Sequence, residues 1–280
     1  MSSSAAVHLH AHSEYSLLDG ACKIDAMAAR AAALGQPALG LTDHGVMNGA
    51  IDLYKACRKH GIKPIVGLEA YLVDDRRAIR EQTKYERNHL TLLAASDTGF
   101  ANLVKLTSAG FLEGFSRGKA NVDMELLASH SEGVIALTGC LQSRFCRRLV
   151  EERPGDARAH LDDLIQAFGP DQVYFEVQKN GIAEQDKANE GIVRYARELG
   201  RPLTAAASRS NTCRRSKPAR RHSSHMAAMW ISCPRVIGAI LSTVFAKHFR
   251  SPPFRSVSTS ARRTIRLRRN KAMPANVSHY

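Results

Sequence analysis

The segment His8-Leu9-His10-Ala11-His12-Ser13-Glu14-Tyr15-Ser16-Leu17-Leu18-Asp19-Gly20 decides how this chain is read. It opens on a short apolar run at residues 7–9, of the kind that forms a buried strand. In an extended strand, residues two apart share a face, so His10 and His12 can present two imidazoles to one ion. A short turn then lets Asp19 return a carboxylate to the same place. A lone His-x-His is weak evidence, because such histidines also serve in cores and on surfaces. Residues of the same chemistry further along the chain give the pair its weight.

Further short apolar runs at residues 38–42, 64–72, 89–94, 133–137 and 173–177 read as buried strands, each bounded by Gly, Pro or polar residues. Helical patterns lie between them. Ile24, Met27, Ala28, Ala31 and Leu34 fall on one face, and Gly35-Gln36-Pro37 stops that helix. A second helix carries Ile51, Tyr54, Lys55 and Arg58 and ends at Gly61, a third carries Leu103, Leu106 and Thr107, and a late one spans 182–199. The alternation implies an α/β fold with parallel strands and right-handed crossovers, either a barrel or an open doubly wound sheet. No Gly-x-Gly-x-x-Gly comes after the first strand, which speaks against a dinucleotide site.

The strand ends carry the chemistry. The second ends in Thr42-Asp43-His44-Gly45, and the third holds Glu69 in Gly67-Leu68-Glu69-Ala70-Tyr71. His89 begins the fourth, and Cys140 comes just after the fifth in Leu137-Thr138-Gly139-Cys140-Leu141. Each has an ordinary reading alone: a capped turn for Asp43, a solvated charge for Glu69, a buried thiol for Cys140. Their recurrence at successive strand ends is hard to explain as packing. Mixed imidazole and carboxylate donors suit zinc, manganese or iron, and the thiolate tilts the choice toward zinc. Clustered ions of this kind support metal-assisted phosphoester hydrolysis. His60, His130 and His160 lie in helix-like or loop contexts and read as structural or surface residues.

Charge divides the chain in two. Residues 1–203 hold 24 Lys+Arg against 26 Asp+Glu, whereas residues 204–280 hold 16 Lys+Arg and no acidic residue. The overall +14 therefore belongs to the second region. That stretch reads either as a basic nucleic-acid-binding tail or as sequence translated out of frame, and its lack of periodicity and capping favours the latter. It is expected to be poorly ordered. The cysteines show no C-x-x-C pair, the N-terminus shows no signal peptide, and no stretch is apolar for long enough to span a bilayer. The expectation is a reducing, cytoplasmic setting with no membrane partner.

The segment from His8 to Gly20 resembles the first motif of the PHP domain that opens the alpha subunit of bacterial replicative DNA polymerase III. Leu41-Thr42-Asp43-His44-Gly45, Gly61-Ile62-Lys63-Pro64-Ile65-Val66-Gly67-Leu68-Glu69-Ala70-Tyr71 and Asn88-His89-Leu90-Thr91-Leu92-Leu93-Ala94 are similar to the family's next motifs in order. Phe111-Leu112-Glu113-Gly114-Phe115 and Leu137-Thr138-Gly139-Cys140-Leu141 are similar too, and the likeness covers residues 7–203.

This resemblance implies a distorted (β/α)7 barrel over residues 1–203, incomplete at its C-terminal end. It implies metal ligands at His10, His12, Asp19, His44, Glu69, His89 and Cys140, holding two or three divalent ions such as Zn2+ or Mn2+. His8 stands where many free-standing PHP enzymes carry Asp, and is expected behind the ligands. Asp43 and His44 are the expected catalytic residues, with Asp43 orienting His44 or capping its turn. Some family members use the domain as a 3′–5′ proofreading exonuclease. Others use it as a scaffold for the polymerase and its exonuclease subunit. DNA and the remaining polymerase III holoenzyme, its proofreading and clamp subunits included, are the implied partners. A stand-alone PHP phosphatase is a further alternative. The family closes its site with Asp-x-His on the last metal-bearing strand, and here Ser208 and Ser210 stand in that register. The polypeptide is accordingly expected to be an N-terminal fragment with weak or absent activity.

Overall fold

A computed structural model describes residues 7–17, 19–201 and 203–206. The expectations for the basic stretch from residue 207 onward, Ser208 and Ser210 among them, lie outside the described residues. The last described strand, Leu203–Ala206, spans the position where the composition changes.

The strands are β1 (Ala38–Leu41), β2 (Lys63–Leu72), β3 (Asn88–Ala94), β4 (Phe115–Ser116), β5 (Lys119–Val122), β6 (Val134–Leu137), β7 (Val173–Gln178) and β8 (Leu203–Ala206). Between them run α1 (Ile24–Ala33), α2 (Ala50–Lys59), α3 (Asp97–Leu112), α4 (Met124–Ser129), α5 (Arg144–Val150), α6 (Pro154–Phe168) and α7 (Ala183–Glu198). The glycines expected to stop α1, α2 and α7 take φ of 70°, 70° and 61° at Gly35, Gly61 and Gly200. Such positive φ suits a residue without Cβ just past a helix end. Sequence patterning passed over α4, α5, α6 and the β4–β5 hairpin. α6 is polar on most of its surface and buries only the stripe Ala157, His160, Leu161, Leu164 and Phe168.

The sheet runs β4-β5-β2-β3-β6-β7-β8, with β1 also on β2. β2 is long enough for its first half to pair with β1 and its second half with β3. The run at 7–9 contributes one parallel bridge, His8 to Leu39, and the chain bends at His10. Counting that segment, seven extended pieces line up through β1, β2, β3, β6, β7 and β8. Val7 and Leu9 share an interior cluster with Ala38, Ile65, Leu93, Ile135, Leu137 and Tyr174, so the sheet curls until its first segment meets β7. Alternate residues point outward. Leu68, Ala70, Leu72, Leu90 and Leu92 pack under α3 to α7, and Leu39, Leu41 and Val66 under α1 and α2. Each such fully buried Leu contributes about 1.5–3 kcal/mol.

One expectation of direction is corrected. β3 runs antiparallel to both neighbours, β2 and β6. Its first residues therefore lie beside the last residues of β2, with Asn88 opposite Leu72 and His89 opposite Tyr71. Strand direction depends on which partner is found, and an apolar run carries no arrow.

Candidate metal centre

The centre is built on interior positions at one end of the curled sheet. On β2 the inward residues Ile65, Gly67, Glu69 and Tyr71 alternate with outward Val66, Leu68, Ala70 and Leu72. Glu69 thus enters an otherwise apolar strand pointing inward, and is 1% exposed. The chain leaving β1 continues along the same edge of β2. Glu69 donates its N–H to Asp43 O at 3.1 Å, and Gly45 donates to Glu69 O at 2.9 Å. That ladder sets His44 beside Glu69, with Nδ1 2.9 Å from Oε2.

Gly45 has φ of 67° and its absent side chain leaves room for the Tyr71 ring, which a Cβ would meet at 3.0 Å. His12 Nε2 lies 3.1 Å from Glu69 Oε2, and His89 Nδ1 lies 2.9 Å from Oε1. His89 reaches the centre from the start of β3 because that strand is inverted. Asp19 brings its Oδ2 to 3.0 Å from His44 Nε2. Cys140 places Sγ 3.5 Å from Glu69 Oε1 and 3.7 Å from His89 Nδ1. His10 sits deepest, its Nε2 3.4 Å from Glu69 Oε1 and its Nδ1 2.7 Å from Glu176 Oε1.

Burial works against charge on His10, His44, Glu69 and Cys140, and their contacts reverse the direction for the first three. Burial lowers His10, but Glu176 and Glu69 outweigh it and hold the imidazole well above its ordinary value. Burial lowers His44 too, and Glu69 and Asp19 reverse the direction. Burial raises Glu69, while His10, His12 and His44 bring it well below the usual carboxylate range. Burial and the Glu69 charge push the Cys140 thiol well up.

Several buried atoms nevertheless lack hydrogen bonds: Nδ1 of His12, Nδ1 of His44, Oε2 of Glu69 and Oε2 of Glu176. Glu69 Oε2 has two imidazole nitrogens within 3.1 Å and bonds neither at acceptable angles. Short distances without bonding angles arise when lone pairs converge on a common point instead of on each other. Three overlapping groups have donor atoms within 4.8 Å of one another: His10, His12 and Glu69; His12, Asp19 and His44; His44, Glu69 and His89. Each pair of groups shares one residue. This donor set fits divalent cations, since imidazole and carboxylate are their usual ligands.

All seven expected ligands, His10, His12, Asp19, His44, Glu69, His89 and Cys140, come together. Asp43 does not join them. Its carboxylate is 2% exposed and accepts from Ser13 N and Oγ and from Ser16 Oγ, each at 2.7 Å. Ser16 Oγ in turn accepts the His44 N–H at 3.1 Å. Asp43 therefore holds the 13–16 turn and steadies His44 through its backbone, the orienting role expected of it. His8 makes no hydrogen bond or ion pair to the cluster among the described residues, and burial lowers its imidazole. Sequence reasoning missed Glu176, which is 0% exposed. Its signal was available: a carboxylate at an inward position of the apolar strand Val173-Tyr174-Phe175-Glu176-Val177.

The DNA polymerase III subunit alpha of Borreliella burgdorferi is 43% identical over 202 residues, covering 71% of this chain and 17% of that protein. That of Treponema pallidum is 42% identical over 199 residues (70% and 17%), and that of Thermus aquaticus 39% over 203 residues (71% and 16%). The chain thus spans 16–17% of the length of these relatives, matching their N-terminal region. Likeness to solved structures is looser: an amidohydrolase from Chromobacterium violaceum aligns with a TM-score of 0.44 at 18% identity, covering 72% of this chain and 88% of that one. The PHP domain family matches residues 8–180, more than half of the sequence, and the chain belongs to that family.

Proposed function

We propose that residues 1–203 are the PHP domain of a DNA polymerase III alpha subunit and bind two or three divalent ions, Zn2+ or Mn2+, for phosphoester hydrolysis. The observation that carries this reading is the convergence of four imidazoles on the buried Glu69 carboxylate, with lone pairs left unbonded. Bound divalent ions would polarise a phosphoryl oxygen and lower the pKa of water. Glu69 would be a shared ligand, since its Oε2 lies by His12 and His44 and its Oε1 by His10 and His89. His10, His12, His44, His89, Asp19 and Cys140 complete the donor set. Asp43 keeps the Ser13–Ser16 turn and His44 in place, and Glu176 fixes His10. The parent protein would act on DNA in the cytoplasm beside the proofreading and clamp subunits, and no helix among the described residues is long and apolar enough to cross a membrane.

A second reading, a non-catalytic scaffold for partner subunits, is favoured by one observation. Ser208 and Ser210 stand where the family pattern supplies Asp and His. Metal analysis of the purified chain, with Mn2+-stimulated digestion of a 5′-labelled oligonucleotide, separates the two. Bound metal with 3′–5′ shortening supports the hydrolase. Bound metal without turnover supports an incomplete centre used as a scaffold. A chain that takes up no metal defeats the metal reading.

A further inference from the structure

Tyr71 forms one wall of the centre. Its ring stacks 5.8 Å from that of His44 and meets that of His89 edge-on at 5.4 Å. The same ring carries two cations, with Arg87 Cζ 5.6 Å and Lys119 Nζ 5.0 Å from its centroid. Tyr85 continues the pattern, with Arg87 at 5.3 Å and Arg117 at 4.9 Å. Tyr71 lies near the end of β2, Tyr85 and Arg87 in the β2–β3 connection, and Arg117 and Lys119 in the β4–β5 hairpin. Arg87 ties the two together, donating from Nε to Asn121 Oδ1 at 2.7 Å and from Nη2 to Ser116 O at 3.1 Å.

The three cations share a property. Arg87 and Arg117 bond only to neutral oxygens, Arg117 to the carbonyls of Gln82 and Thr83. Among the described residues, no carboxylate lies within ion-pair distance of Arg87, Arg117 or Lys119. The nearby acids are engaged elsewhere, Glu86 with Arg147 and Arg148, Glu113 with Arg76 and Arg77. Neutral oxygens and ring faces orient a cation without cancelling its charge. Arg117 also occupies a two-residue hairpin turn with φ of 51°, beside Gly118 at 72°. Such a turn favours Gly, Asn or Asp at both positions, so an arginine is held there against backbone preference.

We propose that Arg87, Arg117 and Lys119 form an anion-binding rim that takes a phosphate of a nucleotide substrate and sets it against the centre across the Tyr71 wall. The guanidinium forks suit phosphate oxygens, and Lys119 adds a point charge. Tyr71 is buried and supports the cations instead of stacking on a base. The rim gives the phosphoester reading its substrate-binding residues and rests on that reading. The phosphate comes either from a free nucleotide or from a nucleic-acid strand.

The test uses the full chain with a chelator present, so that no resident metal contributes. Lysine acylation is mapped by mass spectrometry during titration with thymidine 5′-monophosphate and, separately, with a thymidine decanucleotide. Lys119 labelling is expected to fall at least threefold at saturation, while Lys55 on α2 stays constant. Arg117→Gln should raise the ligand concentration needed for protection several-fold while the circular dichroism spectrum shows the fold retained. Protection by the monophosphate supports a free nucleotide as source, and protection by the decanucleotide alone supports a strand. If neither ligand protects Lys119, the rim proposal is overturned. Protection that persists in a chain found to bind no metal would retain the rim and sink only the metal reading.

Discussion

Glu176 Oε1 lies 2.7 Å from His10 Nδ1, and this pair joins β7 to the opening segment across 166 residues of sequence. Once a bound cation displaces the Nε2 proton, His10 would donate its Nδ1 proton to Glu176 and turn the Nε2 lone pair toward the Glu69 side of the centre. Gln178 Nε2 donates to the same Glu176 oxygen at 2.8 Å, steadying the carboxylate. The orientation of the deepest imidazole is thus held by a residue outside the seven expected ligands.

Glu176→Gln should therefore weaken divalent-metal binding about 10–100-fold, the usual effect of losing a carboxylate behind a ligating histidine. Competition against a coloured chelator measures it. Unchanged affinity in a folded variant would show that Glu176 does not set His10.

Glu69→Ala removes the one carboxylate shared by four imidazoles and leaves them facing each other in a buried space. Loss of one partner of a buried ionic pair costs about 3–5 kcal/mol. The denaturation midpoint of metal-free protein should fall accordingly, with metal uptake lost. A variant as stable as the parent would mean that the imidazoles need no counter-charge.

Gly20→Ala tests the turn that carries Asp19. A Cβ at Gly20 would lie 1.8 Å from Ser13 O, a backbone atom that cannot swing aside. Ser13 and Ser16 also hold Asp43, so the strain should reach His44. The expected outcome is destabilisation by about 1–3 kcal/mol and poorer metal retention, with helix content by circular dichroism unchanged.

His160 predicts the acid response away from the centre. Burial, with Arg144 and Arg148 adding to it, drives its imidazole down to about 3. The unfolded chain binds this proton near pH 6.5 and the native chain only near pH 3. Stability is therefore intact above about pH 6.5 and declines as pH falls toward 3. His160→Leu should lose about 2 kcal/mol less than the parent between pH 7 and pH 5, measured by urea denaturation at both values. Identical losses would rule out His160 as the acid-sensitive group.

The donor residues were legible because their types recur beside strand ends, at His10, His12, Asp19, His44, Glu69, His89 and Cys140. Helix ends at Gly35, Gly61 and Gly200 were legible for the same local reason, a backbone conformation that few residues adopt. Glu176 was passed over because a single carboxylate in an apolar strand has no local partner to mark it. Asp43 was legible as a residue that orients His44 or caps its turn, but the serines that hold its two oxygens, Ser13 and Ser16, lie about 30 residues away and only the folded chain brings them together.

By itself, the sequence determined the α/β alternation, the family likeness, the recurrence of His, Asp, Glu and Cys beside strand ends and the charge divide after residue 203. Only the tertiary structure decided that β3 runs against its neighbours, that Glu176 holds His10, and that Arg87, Arg117 and Lys119 gather around Tyr71 and Tyr85. The physical reason is range. Residue type, periodicity and turn chemistry act over a few residues, whereas strand direction and side-chain partners are chosen by segments far apart in the chain that meet once the sheet has curled.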